Sequence, residues 1–334
     1  MPNSISLTQH ILGQCKLHPK TRGELSMIMS QIALGGKIIA QDLRQAGLLD
    51  IFGSTGEVNV QGEEVQKLDK QANDTFVRVL ESSRVVRALI SEEIEEPYLM
   101  VSAERTGNYA VFFDPLDGSS NIDINAPLGS IFSIHRLSVQ SSSDGDGNYL
   151  KPGFEQVAGG YILYGVSTIL VYTCGDGVDL FTLTPDNDEF LLTKSHVTIP
   201  ARGKIYSVNE GNSQKWSVGM KKYIDYLQKI DSSTGRPYSL RYTGCLVADV
   251  HRVLLKGGLY LYPGEVKKPE GKLRLMYEAA PLTFVIEQAG GIGSTGFERI
   301  QMIQPKTPHQ RVPLVIGSRE DVELAEQFFK PEIE

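Results

Sequence analysis

The sequence predicts a layered α/β protein made of two successive units. Three observations carry that expectation. The chain has 334 residues, 41% of them hydrophobic, more than one ordinary domain core accommodates. Stretches with helical period alternate with strand-like runs along its whole length. No internal repeat divides it into a solenoid or array. The expected units are residues 1–199 and 200–334, joined near Pro200 to Gly203.

In the first unit, Leu25, Ile28, Met29, Ile32, Ile39 and Leu43 recur at spacings of three and four, predicting an amphipathic helix over 23–46 that Gly47 can stop. Residues 52–66 show neither period and read as a loop able to move. A helix over 69–82 follows, then short β-like runs at 85–90 and 109–113. Each run ends at acids. Residues 130–139 alternate as a strand, 140–152 form a Ser/Asp/Gly surface loop, and 181–193, with Pro185 and Asn187 central, reads as a hairpin. In the second unit the expected elements are a strand at 204–209, helices at 218–229 and 246–256, a strand at 259–262, and a helix at 279–289. The glycine pairs Gly257-Gly258 and Gly290-Gly291 stop two of those helices.

Composition excludes several functions. With 33 basic and 40 acidic side chains the net charge is −7, and a pI near 5.5 argues against nucleic-acid or anionic-membrane partners, which need excess Lys and Arg. Three cysteines, Cys15, Cys174 and Cys245, without C-x-x-C, suggest a reducing compartment and buried or incidental thiols. His10, Gly13, Gln14, Lys16 and His18 interrupt any apolar leader, and the run 159–174 is too short and too broken by Gly160, Gly165, Ser167 and Thr168 to span a bilayer. A cytoplasmic protein is expected. Gly291-Ile-Gly293-Ser-Thr-Gly296 fits G-x-G-x-x-G but follows a helix, so a dinucleotide site is not expected. Asp144, Asp146, Asn148 and Glu155 mimic a calcium-loop count, yet Tyr149 stands where the turn needs Gly.

The informative segment is Asp114-Pro115-Leu116-Asp117-Gly118-Ser119-Ser120. Two carboxylates three positions apart, with Pro115 fixing φ between them, can converge while the Leu116 carbonyl turns inward. Gly118 permits a close turn, after which the amides of Ser119 and Ser120 can face an anion. Ser91-Glu92-Glu93 ends another β-like run. Alone, such a Glu pair is a solvated surface feature. Beside the first motif, Glu92, Glu93, Asp114 and Asp117 are expected to share a cation, because four crowded carboxylates need counter-charge. All-oxygen ligation without His or Cys selects Mg²⁺, with Mn²⁺ as a substitute, over Zn²⁺. Paired ions about 3.5 to 4 Å apart suit phosphoryl transfer to water.

Asp114 to Ser120 resembles the signature of the lithium-sensitive, metal-dependent sugar phosphatases. Ser91-Glu92-Glu93, the blocks at 206–212, 241–252 and 271–281, and Leu261-Tyr262-Pro263-Gly264 are similar to class I fructose-1,6-bisphosphatases, and the resemblance runs from about Arg22 to Ser318. It implies a layered α-β-α-β-α fold with two mixed sheets and hydrolysis of the 1-phosphate of fructose 1,6-bisphosphate. By resemblance, Glu92, Glu93, Asp114, the Leu116 carbonyl, Asp117 and Glu278 are metal ligands, and Asp69 and Glu93 activate water. Read from the residues alone, Glu278 complements a helix dipole and Asp69 caps a helix. Gly118, Ser119 and Ser120 are expected to bind substrate through the turn and amides described above, and the resemblance implies that Asn209, Tyr242, Tyr262, Lys272 and Arg274 do so too, with Arg241 reaching from a neighbouring subunit of a homo-oligomer, usually a tetramer. Asn212 departs from the family, where Tyr is common.

An allosteric site for an anionic metabolite is implied at Arg22, Gly23, Glu24, Leu25, Ser26, Tyr109 and Arg136. Arg22 replaces a small hydroxyl residue and Asn108 replaces a lysine, which leaves AMP as the effector open. Sedoheptulose 1,7-bisphosphate presents the same ketose-phosphate end and is an alternative substrate. A catalytically silent sensor or scaffold would show a damaged acid set, whereas every acid is present. Charge is polarised: residues 57–123 hold 14 acids and 6 bases, and residues 202–274 hold 14 bases and 6 acids. The acidic segment suits metal collection and the basic one the second phosphate.

Overall fold

The computed structural model describes residues 5–17, 23–45, 54–58, 64–100, 107–137 and 149–330, the side chains of 14–17, 54–55, 57–58 and 64–65 excepted. In chain order the helices are α1 (Leu7–Leu17), α2 (Glu24–Gln45), α3 (Lys67–Ser82), α4 (Val218–Gln228), α5 (Leu246–Lys256), α6 (Ala280–Gln288) and α7 (Arg319–Phe329). The strands of the first half are β1 (Ser54–Val58), β2 (Glu64–Gln66), β3 (Val86–Ser91), β4 (Tyr98–Leu99), β5 (Tyr109–Asp117), β6 (Leu128–Arg136), β7 (Gln156–Tyr164), β8 (Thr168–Thr173), β9 (Asp179–Leu183) and β10 (Phe190–Lys194). Those of the second half are β11 (Ile205–Ser207), β12 (Ser239–Leu240), β13 (Leu259–Tyr262), β14 (Leu273–Arg274), β15 (Ile292–Ser294), β16 (Arg311–Val312) and β17 (Leu314–Gly317).

Among the described residues the first half forms one eight-stranded sheet, ordered β10-β9-β8-β7-β6-β5-β3-β4, and the second half a five-stranded sheet, ordered β12-β11-β13-β17-β15. Both are mixed. β3 runs parallel to β5 while β5 and β6 are antiparallel, and β11 runs parallel to β13 while β13 and β17 are antiparallel.

Alternation along the strands sorts their side chains into layers. Leu89, Val111, Phe113, Phe132 and Ile162 bury against α1, α2 and α3 on one face. Ala88, Ile90, Phe112, Ile131 and Tyr161 bury on the other against α5 and α6, which also cover Tyr260, Leu314 and Ile316 of the second sheet. Tyr206, Leu259, Leu261 and Val315 then face α4 and α7. The order is α-β-α-β-α, as the resemblance implied.

α5, β13 and the hairpin of β9 with β10 fall where expected. The expected loop at 52–66 instead contains the antiparallel pair β1 and β2; runs of five and three residues are too short to display a period. α6 opens one turn early, as a π-turn over Leu275–Ala279. Gly291 leaves that helix and enters β15, in agreement with the rejection of a dinucleotide motif. The end of the first helix at Ala46, most of the loop at 140–152, the calcium-like count and Arg22 lie outside the described residues. No described helix is long and apolar enough to cross a membrane.

Candidate active site

Two parallel strands deliver the acids. Ser91 pairs with Phe113 in the β3–β5 register, and the Glu92 N–H donates to the Phe113 carbonyl at 3.2 Å. Glu92 and Asp114 therefore leave the same sheet edge side by side. Ligand sites gather at such C-terminal strand ends. Glu278 arrives from the other half on the π-turn, which Ser133 of β6 anchors by donating its hydroxyl to the Met276 carbonyl at 2.8 Å. These residues line a cleft of about 510 Å³ together with Gln66, Asp69, Glu93, Leu116, Asp117, Gly118, Ser119 and Ser120. Tyr242, Tyr262, Lys272 and Arg274 line it too. The expected acids thus converge on one site.

Burial is the main cause that raises the Asp114 carboxyl well above the usual range, and the charges of Glu92, Asp117, Glu278 and Glu93 add to it. Glu278 is raised for the same first reason and by Glu92, with the Arg274 charge and N–H opposing. Repulsion among crowded carboxylates is relieved by a nearby positive charge. Even so, no three His, Cys, Asp or Glu side chains among the described residues form a ready-made metal cluster. Their oxygens are engaged elsewhere. Glu92 Oε1 lies 3.2 Å from Arg274 Nη2, Glu278 Oε2 accepts the Arg274 N–H at 2.5 Å, and Asp114 Oδ1 accepts the Leu116 N–H at 3.0 Å.

Asp117 faces the other half of the chain. Its Oδ1 accepts the Leu246 N–H at 3.2 Å, and its Oδ2 accepts the Val247 N–H at 2.7 Å and the Cys245 thiol at 3.0 Å. All three donors sit at the N-terminus of α5, where a negative charge complements the helix dipole. Burial raises the Asp117 carboxyl while these donors oppose the rise. The next residue, Gly118, adopts φ 80° and starts the 3₁₀ turn Ser119–Ile124. A Cβ there would lie 2.9 Å from Cys245 Cβ, so only glycine fits that approach.

Asp69 occupies both of its expected places. It lines the cleft and its Oδ2 accepts the Gln66 N–H at 3.0 Å, capping α3. Arg274, expected to bind substrate, lines the cleft at 3% exposure, where its guanidinium balances Glu92 and donates to the Lys272 carbonyl at 2.9 Å. Crowded acids draw the nearest guanidinium into their midst. Beyond Lys272 a smaller recess is lined by Asn209, Asn212, Trp216, Tyr262 and Lys268. Asn212 accepts from Lys215 Nζ at 3.2 Å there. Arg241 is exposed, with Nη1 donating to the Leu240 carbonyl, and is not among the residues that line its own chain's cleft.

In the N-terminal cluster, Asn108 Nδ2 donates to Glu24 Oε1 at 3.5 Å and Tyr109 pairs with Arg136 across β5 and β6. The start of α2 therefore meets the start of β5. Tyr109 and Leu25 are buried in the core between α2 and the sheet, so neither side chain is exposed to a ligand in this state. Cys245 is buried, one of the two states expected of the cysteines; its contact with Asp117 is what the sequence does not display, and its place before the predicted helix 246–256 is the available signal.

A cleft lined by carboxylates together with lysine and tyrosine suits a metal-assisted phosphohydrolase acting on an anionic substrate. Family comparison agrees with that class. Residues 5–195 match the fructose-1,6-bisphosphatase N-terminal domain and residues 199–330 the C-terminal domain. The chain belongs to the fructose-1,6-bisphosphatase family. It is 48% identical over 329 residues to the class 1 fructose-1,6-bisphosphatase of Trichormus variabilis, covering 97% of this chain and 92% of that one. With its counterpart in Chlorobium chlorochromatii it shares 48% identity, covering 98% of each. The Leishmania major fructose-1,6-bisphosphatase crystal structure in holo form superposes with a TM-score of 0.90 at 41% identity, covering 98% of this chain and 99% of that chain. The T-state structure of that enzyme gives 0.87 at 41% identity with the same coverage.

Proposed function

We propose that this chain hydrolyses the 1-phosphate of fructose 1,6-bisphosphate to fructose 6-phosphate and inorganic phosphate, with Mg²⁺, or Mn²⁺ in its place. The observation that carries the reading is the single cleft that joins Glu92, Glu93, Asp114, Asp117 and Glu278 to Tyr242, Tyr262 and Lys272. The residues fit a hard divalent cation: the donors are carboxylates, and burial together with their mutual repulsion raises Asp114 and Glu278. Glu92, Glu93, Asp114, Asp117, Glu278 and the Leu116 carbonyl would hold it. When bound, such an ion polarises the phosphate and lowers the pKa of water.

The chain's own residues do the rest. Glu93 and Asp69 take a proton from the attacking water as its oxygen bonds to phosphorus, the bond from phosphorus to the sugar's O1 breaks, and that proton passes to the leaving oxygen. Gly118, Ser119 and Ser120 line the same cleft and bind the phosphate that is cleaved. Tyr242, Tyr262, Lys272 and Asn209 hold the other by charge-assisted and hydroxyl hydrogen bonds. Arg274 balances Glu92 until substrate arrives.

Residues 1–199 then form the metal-bearing and allosteric unit and 200–334 the sugar-phosphate unit. The outward position of Arg241 favours a homotetramer in which it serves a neighbour's cleft, and Gly23 to Ser26 with Arg136 favour an anionic effector site. The relatives named above are all fructose-1,6-bisphosphatases, so neither the sedoheptulose nor the silent-scaffold reading is adopted. A coupled assay that detects fructose 6-phosphate tests the reaction. Appearance of fructose 1-phosphate instead would reverse the assignment of the two ends.

A further inference from the structure

We infer that Cys245 is a positioning residue for the metal-binding acid Asp117, an inference that rests on the metal-dependent reading above. Three donors fix the Asp117 carboxylate, and two of them, the N–H groups of Leu246 and Val247, belong to the backbone. The thiol is the one side-chain donor among the three, 3.0 Å from Oδ2. It is held in turn. Cys245 is fully buried, and its sulfur accepts the Ala248 N–H at 3.4 Å as the N-cap of α5.

Packing leaves the thiol little freedom. Gly118 passes so near that a Cβ on it would meet Cys245 Cβ at 2.9 Å, and α5 itself packs against β6 in the buried layer between the sheets. The S–H therefore donates along a fixed line and, together with the two backbone donors, sets the rotation of the carboxylate about its Cβ–Cγ bond. A thiol is a weak donor. It can orient Asp117 while withdrawing less charge from Oδ2 than a hydroxyl would, which keeps the oxygen available to a cation. Groups that orient a ligand in this way govern metal affinity by about 10- to 100-fold when removed. Because Asp117 and Cys245 are 128 positions apart, the contact also ties the acid end of the cleft to the helix that begins beside Tyr242.

The test compares wild type, Cys245→Ala and Cys245→Ser as full-length protein. Mn²⁺ binding is read from loss of the free-ion EPR signal, alongside kcat, KM and melting temperature without metal. Cys245→Ala should bind Mn²⁺ about tenfold more weakly and need correspondingly more metal for half-maximal activity, with KM changed less than twofold. Cys245→Ser, which restores a donor, should recover most of the affinity. Equal Mn²⁺ affinity in wild type and Cys245→Ala overturns the inference. So does a Ser variant as weak as Ala, since the defect would then follow packing and not donation. Wild type that binds no Mn²⁺ and releases no phosphate sinks the underlying metal-dependent reading instead.

Discussion

Replacing Arg274 by methionine separates the electrostatics of the acid cluster from its chemistry. The change keeps the bulk of the side chain and removes the ion pair to Glu92 at 3.2 Å and the bond to the Lys272 carbonyl. The Glu278 bond to the Arg274 backbone N–H survives. Breaking one side of a buried pair costs about 3 to 5 kcal/mol. Here the lower end applies, about 3 kcal/mol, because Asp114 and Glu278 are already raised and can take up a proton to relieve the charge. At about 2.1 cal/mol/K per residue, 334 residues unfolding together carry about 0.7 kcal/mol/K. The melting temperature in EDTA should therefore fall by about 4 °C, and saturating Mg²⁺ should recover much of the loss by replacing the missing positive charge. Calorimetry with and without metal reads both numbers. A fall under about 1 °C in EDTA, or the same fall with and without Mg²⁺, refutes the claim that Arg274 serves as the cluster's counter-charge.

Two further outcomes follow from the same geometry. Asp114 and Glu278 have folded-state pKa values raised above the unfolded range, so their contribution to stability is present below about pH 4 and is lost as pH rises through the raised values. Bound metal cancels that loss; the Mg²⁺-induced rise in melting temperature should accordingly grow between pH 5.5 and 8, and a flat or falling dependence contradicts the charge assignment. Gly118→Ala places a Cβ at φ 80° and 2.9 Å from Cys245 Cβ, combining about 1 kcal/mol of left-handed strain with about 1 to 3 of overpacking. Urea denaturation should show a loss of about 2 to 4 kcal/mol with reduced turnover, and a variant as stable as wild type would show that this approach is loose.

The sequence is most legible where elements are amphipathic and punctuated. The helix expected at 246–256 coincides with α5 because its apolar face repeats and Gly257 closes it. Strand β13 coincides because Leu259 to Tyr262 is a short apolar run bounded by Gly257-Gly258 and Pro263-Gly264. Strands β7 and β8 were legible only as one apolar run, since both faces of the central sheet are buried and little alternation survives. α1 and α7 were not distinguished. Within the site, the identities of the acids could be read from their motifs, but not which way they turn. The Asp117 bond to Cys245 and the Arg274 pairing with Glu92 depend on contacts 128 and 182 positions apart, which one sequence does not display.

Phosphate release from fructose 1,6-bisphosphate by wild type and Asp117→Ala, each in EDTA and in Mg²⁺, tests the account most directly. It predicts release by wild type with Mg²⁺ only, and at least about 10³-fold less from a natively folded Asp117→Ala protein, as expected when one charge in a phosphoryl-transfer site is removed. Release that persists in EDTA, or near-normal turnover by Asp117→Ala, contradicts it.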